Sequence, residues 1–334
     1  MAASTTLVTG GAGYIGSHTV KALRAAGHRV IIYDDLSAGH RQAALDTPLV
    51  VGDVRDTDAV RRAIRQSGAT AVVHFAAWLS VPDSMRDPVG YYRNNVQGAL
   101  AVLEAMAHEN CRSFVFSSTC AVYGEPIETP LRESHPTRPI NPYGQTKLAV
   151  EQALPHFERA YGIRSIALRY FNAAGADPEG ELGEDHSPEI HVIPRALDAA
   201  RRGIPMHIYG DDYPTPDGTC LRDYVHVMDL ADAHVRALQR LESGGASSCY
   251  NVGTERPSSV REVIAAVERV TGRTVRRQPA PRREGDPAVL YASAEKIRTE
   301  LGWRPRRPDL DTIVGDAWKW HSTHPSGYDG PGTA

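Results

Sequence analysis

The chain has 334 residues, 41% hydrophobic and 23% charged, which suits two ordinary globular domains or one large one and excludes a disordered chain. Its 37 basic and 40 acidic residues give a net charge of −3, so the basic face of a nucleic-acid or membrane-surface binder is not expected. Four separated cysteines (Cys111, Cys120, Cys220, Cys249) and a start without basic and apolar leader regions argue against a disulfide framework and fit a reducing cytoplasm.

Short β-rich runs alternate with longer helical patterns through the first half, the signature of βαβ units and a parallel sheet. Residues 5–8 predict a strand, 15–26 a helix and 29–33 a second strand. Further strands are predicted at 49–51, 71–75 and 113–116, with helices at 57–66 and 88–108 between them. Residues 71–81 form the longest mostly apolar stretch, far short of the roughly 20 that cross a bilayer. A long helix is predicted over 142–161, with a kink or early end at Pro155, and a strand follows at 165–169. Residues 176–194 and 209–219 read as long loops of the sort that carry function. Helical patterns return at 227–241 and 260–271.

Between the first strand and the first helix stands Gly10-Gly11-Ala12-Gly13-Tyr14-Ile15-Gly16, which satisfies both GxGxxG and GxxGxxG. Glycines allow the tight turn and the close approach of amides to a pyrophosphate, and the helix start offers unpaired N–H groups to the anion. Asp34 ends the next strand, where a carboxylate accepts from a ribose 2′-hydroxyl and repels a 2′-phosphate, so NAD is favoured over NADP. Asp35 either shares that task or forms a turn. Asp53, after the third strand, either reaches the adenine or serves the turn.

Tyr143 and Lys147 lie four residues apart on one predicted helix face. A cation near a phenol favours phenolate, which makes the tyrosine a candidate general base. Only four of the 37 basic residues are lysine, and with 14 tyrosines chance supplies about 0.2 such pairs.

These motifs, with HFAA, NNV, FSSTCAVYG, NPYGQTK, LRYFNAAGA, the stretch YGDDYPTPDGTCLRDYVHVMDLADAH, YNVG and PRREGDPA, resemble the extended short-chain dehydrogenase/reductase family and within it the UDP-galactose 4-epimerases. The resemblance runs from Leu7 to about Gly327. It implies a Rossmann-type doubly wound α/β fold, with an NAD-binding domain at 1–171 to which later chain returns. A smaller α/β domain at 172–334 would bind the nucleotide sugar.

By resemblance, Tyr143 removes the sugar 4-OH proton, Lys147 bonds the nicotinamide ribose and keeps Tyr143 acidic, and Thr119 touches the 4-oxygen. Tyr14 and Ile15 add contacts to the pyrophosphate. Asp34, Asp53, Val54, Phe75, Ala76, Ala77, Asn94 and Phe171 match other cofactor contacts. Asn172, His191, Arg222, Arg283 and Asp286 match substrate contacts. Leu290 falls where side-chain size governs access of N-acetylated sugars, and Leu79 stands where some relatives place a phosphate-contacting lysine.

The implied reaction interconverts UDP-galactose and UDP-glucose. C4 is transiently oxidised by NAD, the 4-keto sugar rotates, and hydride returns to its other face. UDP-GlcNAc/UDP-GalNAc, UDP-glucuronate and UDP-pentose 4-epimerases remain alternatives. The dehydratase reading is disfavoured because Cys120 and Ala121 supply no acid and base, and a non-catalytic NAD-binding protein because the Tyr/Lys pair is present. A homodimer through the helices at 88–108 and 142–161 is also implied. No metal site is expected, since the 14 histidines show no HExxH or comparable cluster.

Overall fold

A computed structural model describes residues 4–283 and 287–329. Its strands are β1 (Thr5–Thr9), β2 (Arg29–Asp34), β3 (Leu49–Val51), β4 (Ala71–His74), β5 (Ser113–Thr119), β6 (Arg164–Tyr170), β7 (Asn172–Ala174), β8 (Met206–Tyr209), β9 (Leu221–His226), β10 (Ser248–Val252), β11 (Pro257–Ser259), β12 (Arg277–Ala280) and β13 (Val289–Leu290). The α-helices are α1 (Tyr14–Ala25), α2 (Thr57–Ser67), α3 (Val81–Arg86), α4 (Pro88–Tyr91), α5 (Gly98–His108), α6 (Pro142–Tyr161), α7 (Val192–Arg202), α8 (Val227–Glu242), α9 (Val260–Thr271), α10 (Glu295–Leu301) and α11 (Leu310–Thr323).

Seven strands form one parallel sheet in the order β10-β6-β5-β4-β1-β2-β3. Both faces are covered, as parallel sheets require. One apolar layer gathers Val20 and Leu23 of α1 with Leu230, Leu238 and Leu241 of α8. The opposite layer gathers Val60 and Ile64 of α2, Val102 and Leu103 of α5, and Val150 and Leu154 of α6. The strand order reverses between β1 and its neighbours β2 and β4, and a crevice opens there at the carboxyl ends of the strands. A second core joins α7, α9 and α11 through Leu197, Val263, Val267 and Ile313. Beside it lies a smaller sheet in which β9 pairs with β7, β11 and β13. The doubly wound α/β expectation is thus met.

Two local expectations differ. The predicted helix at 88–108 is interrupted by a π turn at Tyr92–Gln97 between α4 and α5. Helix α6 runs its full 20 residues through Pro155. That proline is on the exposed side of the helix. The ends of α6 are well specified: the Asn141 side chain accepts from Gly144 N at 2.8 Å, Pro142 occupies the first turn, and Gly162 closes the helix at φ 68°.

A buried polar network fastens α6 to the sheet. Glu151 accepts from Ser118 Oγ at 2.5 Å and from Arg169 Nε at 3.0 Å, and Arg169 also donates to Tyr123 Oη at 3.1 Å. Tyr123 in turn donates to Asn251 Oδ1 at 2.6 Å, which carries the chain of bonds from β5 and β6 to β10. Glu151→Ala would leave the Arg169 guanidinium buried and unpaired and is expected to cost about 3–5 kcal/mol in urea unfolding. The double variant Glu151→Leu/Arg169→Met is expected to lose less than that single one. Equal stability of Glu151→Ala and the parent would contradict this role.

Three histidines are buried and held neutral: burial pushes His18 and His234 down to about 4 and His74 down to about 3. An unfolded histidine titrates near 6.5, so between that value and the folded ones the unfolded chain binds protons that the native state does not. Their stabilising contribution is therefore complete above 6.5 and is lost as pH falls, by at most about 1.4 kcal/mol per histidine per pH unit. The urea midpoint is expected to drop from pH 7 to pH 5, and unchanged midpoints would refute the assignment.

Candidate active site

The crevice is a cleft of about 910 Å³ that runs from the glycine turn to the small sheet. At its first end, Gly10 adopts φ +70°, and a Cβ on it would meet Ala76 N at 2.5 Å. A Cβ on Gly16 would meet the Gly10 carbonyl at 2.1 Å. The turn is therefore pressed against both the start of α1 and the chain after β4, with no room for a side chain. Gly13 caps α1 without a side-chain hydrogen bond, and the first turn carries no acid. Its N–H groups and the positive end of the helix dipole thus meet the cleft, which Gly13, Tyr14, Ile15 and Gly16 line.

Asp34 is buried at the end of β2. Its two carboxylate oxygens accept from Ala12 N and Leu36 N, each at 2.9 Å, so the acid also braces the glycine turn. Burial raises its pKa against the lowering effect of those N–H groups. Asp35 lines the cleft as well, although it spends Oδ1 on the Ser37 turn. The Asp53 carboxylate accepts from Arg55 N at 2.8 Å and pairs with the Arg55 guanidinium at 2.5 Å. Its neighbours Gly52 and Val54 line the cleft in its place.

Phe75, Ala76 and Ala77 form the wall after β4, with Leu79 at its outer edge. The π turn brings Asn94 into the cleft and aims Asn95 at Trp78, whose N–H donates to Asn95 Oδ1 at 2.8 Å. Asn95 Nδ2 donates to Thr146 Oγ1 at 3.1 Å, which ties this wall to the first turns of α6. An extra residue in one helical turn is a common way to re-aim side chains at a functional site.

Tyr143, Lys147 and Thr119 meet midway along the cleft. Burial pushes the Tyr143 phenol well up, Tyr170 adds to this, and a hydrogen bond with Thr119 opposes it. Lys147 is buried and pushed down to about 7, with Glu151 pulling the other way. Its ammonium donates to the Ser117 carbonyl at 2.8 Å and lies 5.1 Å from the Phe116 ring centre. The partner of the lysine is therefore a strand carbonyl, and the partner of the phenol is Thr119. The cost of burying charge makes any added cation or anion in this pocket act strongly on both groups.

The far end is cationic. Arg222 and Arg283 line it, with Phe171, Asn172, His191 and Leu290. Arg222 also donates to the Pro287 carbonyl at 2.8 Å, and Arg283 stacks 4.1 Å from the Tyr209 ring centre. Asp286 lies outside the described residues. Arg195 of α7 is a third lining guanidinium that the sequence reading missed. Its signal was its place one turn after His191, on the same helix face. Also missed was a group of Glu184, His186, Glu189 and His191, drawn together in the loop before α7.

Comparison with known proteins agrees with this architecture. A model of the family described as NAD dependent epimerase/dehydratase family matches residues 6–253. UDP-glucose 4-epimerase of Halalkalibacterium halodurans is 50% identical over 323 residues, covering 96% of this chain and 97% of that protein. The crystal structure of UDP-glucose 4-epimerase from Brucella ovis in complex with NAD is 47% identical, covers 95% of this chain and 98% of its own, and superposes with a TM-score of 0.92. UDP-glucose 4-epimerase from Bifidobacterium longum, crystallised with NAD+ and UDP, is 36% identical, covers 97% of this chain and 100% of its own, and has a TM-score of 0.91. A glycine turn at a sheet's switch point, an acid at the end of β2 and a family match over most of the length lead to one conclusion: the chain belongs to the NAD-dependent epimerase/dehydratase family.

Proposed function

We propose that the protein interconverts UDP-galactose and UDP-glucose by inverting C4. The observation that carries this reading is one continuous cleft, with an anion-binding glycine turn at one end, a half-buried Tyr143 beside the buried Thr119 midway and three guanidiniums at the other end. The residues fit NAD: the glycine cradle excludes side chains, the α1 start has no side-chain cap, and Asp34 lines the cleft at the end of β2, where a carboxylate suits a ribose hydroxyl. NAD, when bound, takes up the C4 hydride and gives it back. We assign 1–171, with the returning strand β10, to the dinucleotide and 172–334 to the nucleotide sugar.

In this reading Tyr143 takes the 4-hydroxyl proton and later returns it, while the Thr119 hydroxyl lies beside the same oxygen. Lys147 bonds the nicotinamide ribose. Arg222, Arg283 and Arg195 hold the diphosphate, for which planar guanidiniums suit paired oxygens. Binding energy comes from the nucleotide, so the sugar is held by few groups and turns about its bond to the diphosphate between the two proton transfers. Exposed Val89 and Tyr92 on the α4–α5 segment support pairing of two copies through that segment and α6. The four cysteines are free thiols, which fits a reducing cytoplasm. Among the described residues no helix is long and apolar enough to cross a membrane.

Proton NMR of UDP-galactose with the purified protein and no added NAD is expected to show UDP-glucose forming. Tyr143→Phe is expected to lower kcat by about 10²–10⁴ while NAD stays bound. Full activity of that variant would remove Tyr143 as the base. If UDP-galactose is unchanged even with NAD added, the substrate assignment falls.

A second reading concerns the sugar's substituent. Leu290 on β13 lines the cleft with an aliphatic side chain smaller than a tyrosine, which favours entry of an N-acetyl group over a tyrosine at that place. UDP-GalNAc is expected to react, and Leu290→Tyr is expected to lower kcat/KM for UDP-GalNAc more than for UDP-galactose. Equal effects on the two sugars would reject a gating role for Leu290.

A further inference from the structure

The loop between β7 and α7 carries the spacing Glu184-x-His186-x-x-Glu189-x-His191. One donor atom from each of the four lies within 4.8 Å of all the others. Glu184 Oε1 is 2.5 Å from His191 Nδ1 and 3.2 Å from His186 Nδ1. The Glu189 carboxylate approaches His191 Nδ1 at 3.4 Å and His186 Nδ1 at 3.8 Å. A tetrahedron with metal–ligand bonds of about 2.0–2.1 Å has edges of about 3.3 Å, close to the mean of these four separations. The intervening Asp185 turns the other way and accepts from Tyr328 N at 2.9 Å, so the alternation of the loop sends 184 and 186 to one side.

Buried atoms in this group lack hydrogen-bonding partners. Glu184 Oε1, His186 Nδ1 and His191 Nδ1 are all buried and none is in hydrogen-bonding geometry, although they crowd together. The side chain of Glu184 is 3% exposed. Glu184 pairs with both imidazoles by charge, yet these buried atoms crowd outside good hydrogen-bonding geometry and gain from a species that joins them. Two neutral imidazoles and two carboxylates carry a charge of −2, which a divalent cation cancels. The mixed nitrogen and oxygen donors disfavour magnesium and calcium, which prefer oxygen alone, and suit zinc or a similar first-row ion.

We propose that Glu184, His186, Glu189 and His191 bind one divalent transition-metal ion, zinc by preference, in a closed structural site. With four protein ligands no position is left for substrate, which separates such a site from a catalytic one. The ion pins the loop that brings Ile190 and His191 into the cleft. It also braces the glycine turn, because the Tyr14 ring meets the His186 ring edge-on at 6.2 Å. Metal on Nδ1 of His191 leaves the proton on Nε2, making that nitrogen a donor. The proposal does not depend on the sugar that the protein acts on.

The test is elemental analysis of the full-length, untagged protein purified without metal-affinity resin, followed by dialysis against a chelator and titration with Zn²⁺ and Co²⁺. About one zinc per chain is expected, with a lower melting temperature after chelation that zinc restores. Co²⁺ is expected to give the intense visible absorption of a tetrahedral site. Glu184→Gln and His186→Ala are expected to reduce bound zinc more than about tenfold. No metal on purification together with no uptake in the titration would overturn the proposal. Stoichiometric zinc retained by both variants would do the same. Should either variant fail to fold, the Co²⁺ spectrum of the parent decides between an octahedral, adventitious ion and the proposed site.

Discussion

The buried ion pair of Glu151 and Arg169 is the contact through which the rest of the site is positioned. Glu151 lies one turn beyond Lys147 on α6, and its carboxylate is held from β5 by Ser118 and from β6 by Arg169. The rotation and height of α6 over the strand ends follow from those bonds. Thr119 is the next residue of β5, so the phenol, the hydroxyl and the ammonium are all set from one anchor. A buried ion pair is seldom the most stabilising choice for a core. What it adds here is register: an apolar contact tolerates sliding, and a bidentate guanidinium with further hydrogen bonds does not.

The site's electrostatics follow from the same burial. The phenol is pushed up and the lysine pushed down, so low polarity alone favours the uncharged form of each. Charge enters this pocket with its ligands. The helix start at one end and the guanidiniums at the other are already oriented for anions, so little reorganisation follows binding. The wall between them includes short side chains such as Ala76, Ala77 and Cys120.

How far this was legible in the sequence depended on the range of the signal. The glycine turn, Asp34 and the Tyr143/Lys147 spacing are local patterns, and each lands in the cleft as expected. Helix α6 was legible because Asn141, Pro142 and Gly162 mark its ends. Its passage through Pro155 was not, since that depends on which side faces water. The hold of Arg55 on Asp53 is a side-chain contact that the turn pattern alone does not predict. The π turn leaves no mark in composition, and the lysine's bond to a strand carbonyl arises only once β5 lies beneath α6. Arg195 and the Glu/His group sat in or beside a stretch read only as a loop. Their spacing was visible in the chain, but it matched no pattern of helical metal ligands, and only the loop's alternation brings the donors together.

Strand β10 has a consequence for how the chain is made. The parallel sheet receives its last strand from residues 248–252, and one of its two covering layers is completed by α8, Ala294, Ile297 and Trp303. The Trp303 indole donates to the Asp229 carbonyl at 2.9 Å, closing that layer. A nascent chain that has emerged only as far as β6 therefore presents an unpaired strand edge and a bare apolar flank. Sheet completion must wait for Val252, and the covering layer for Trp303. Vectorial synthesis thus leaves that edge unpaired while the residues between Tyr170 and Val252 are added, and holding factors that bind extended apolar chain have their window there.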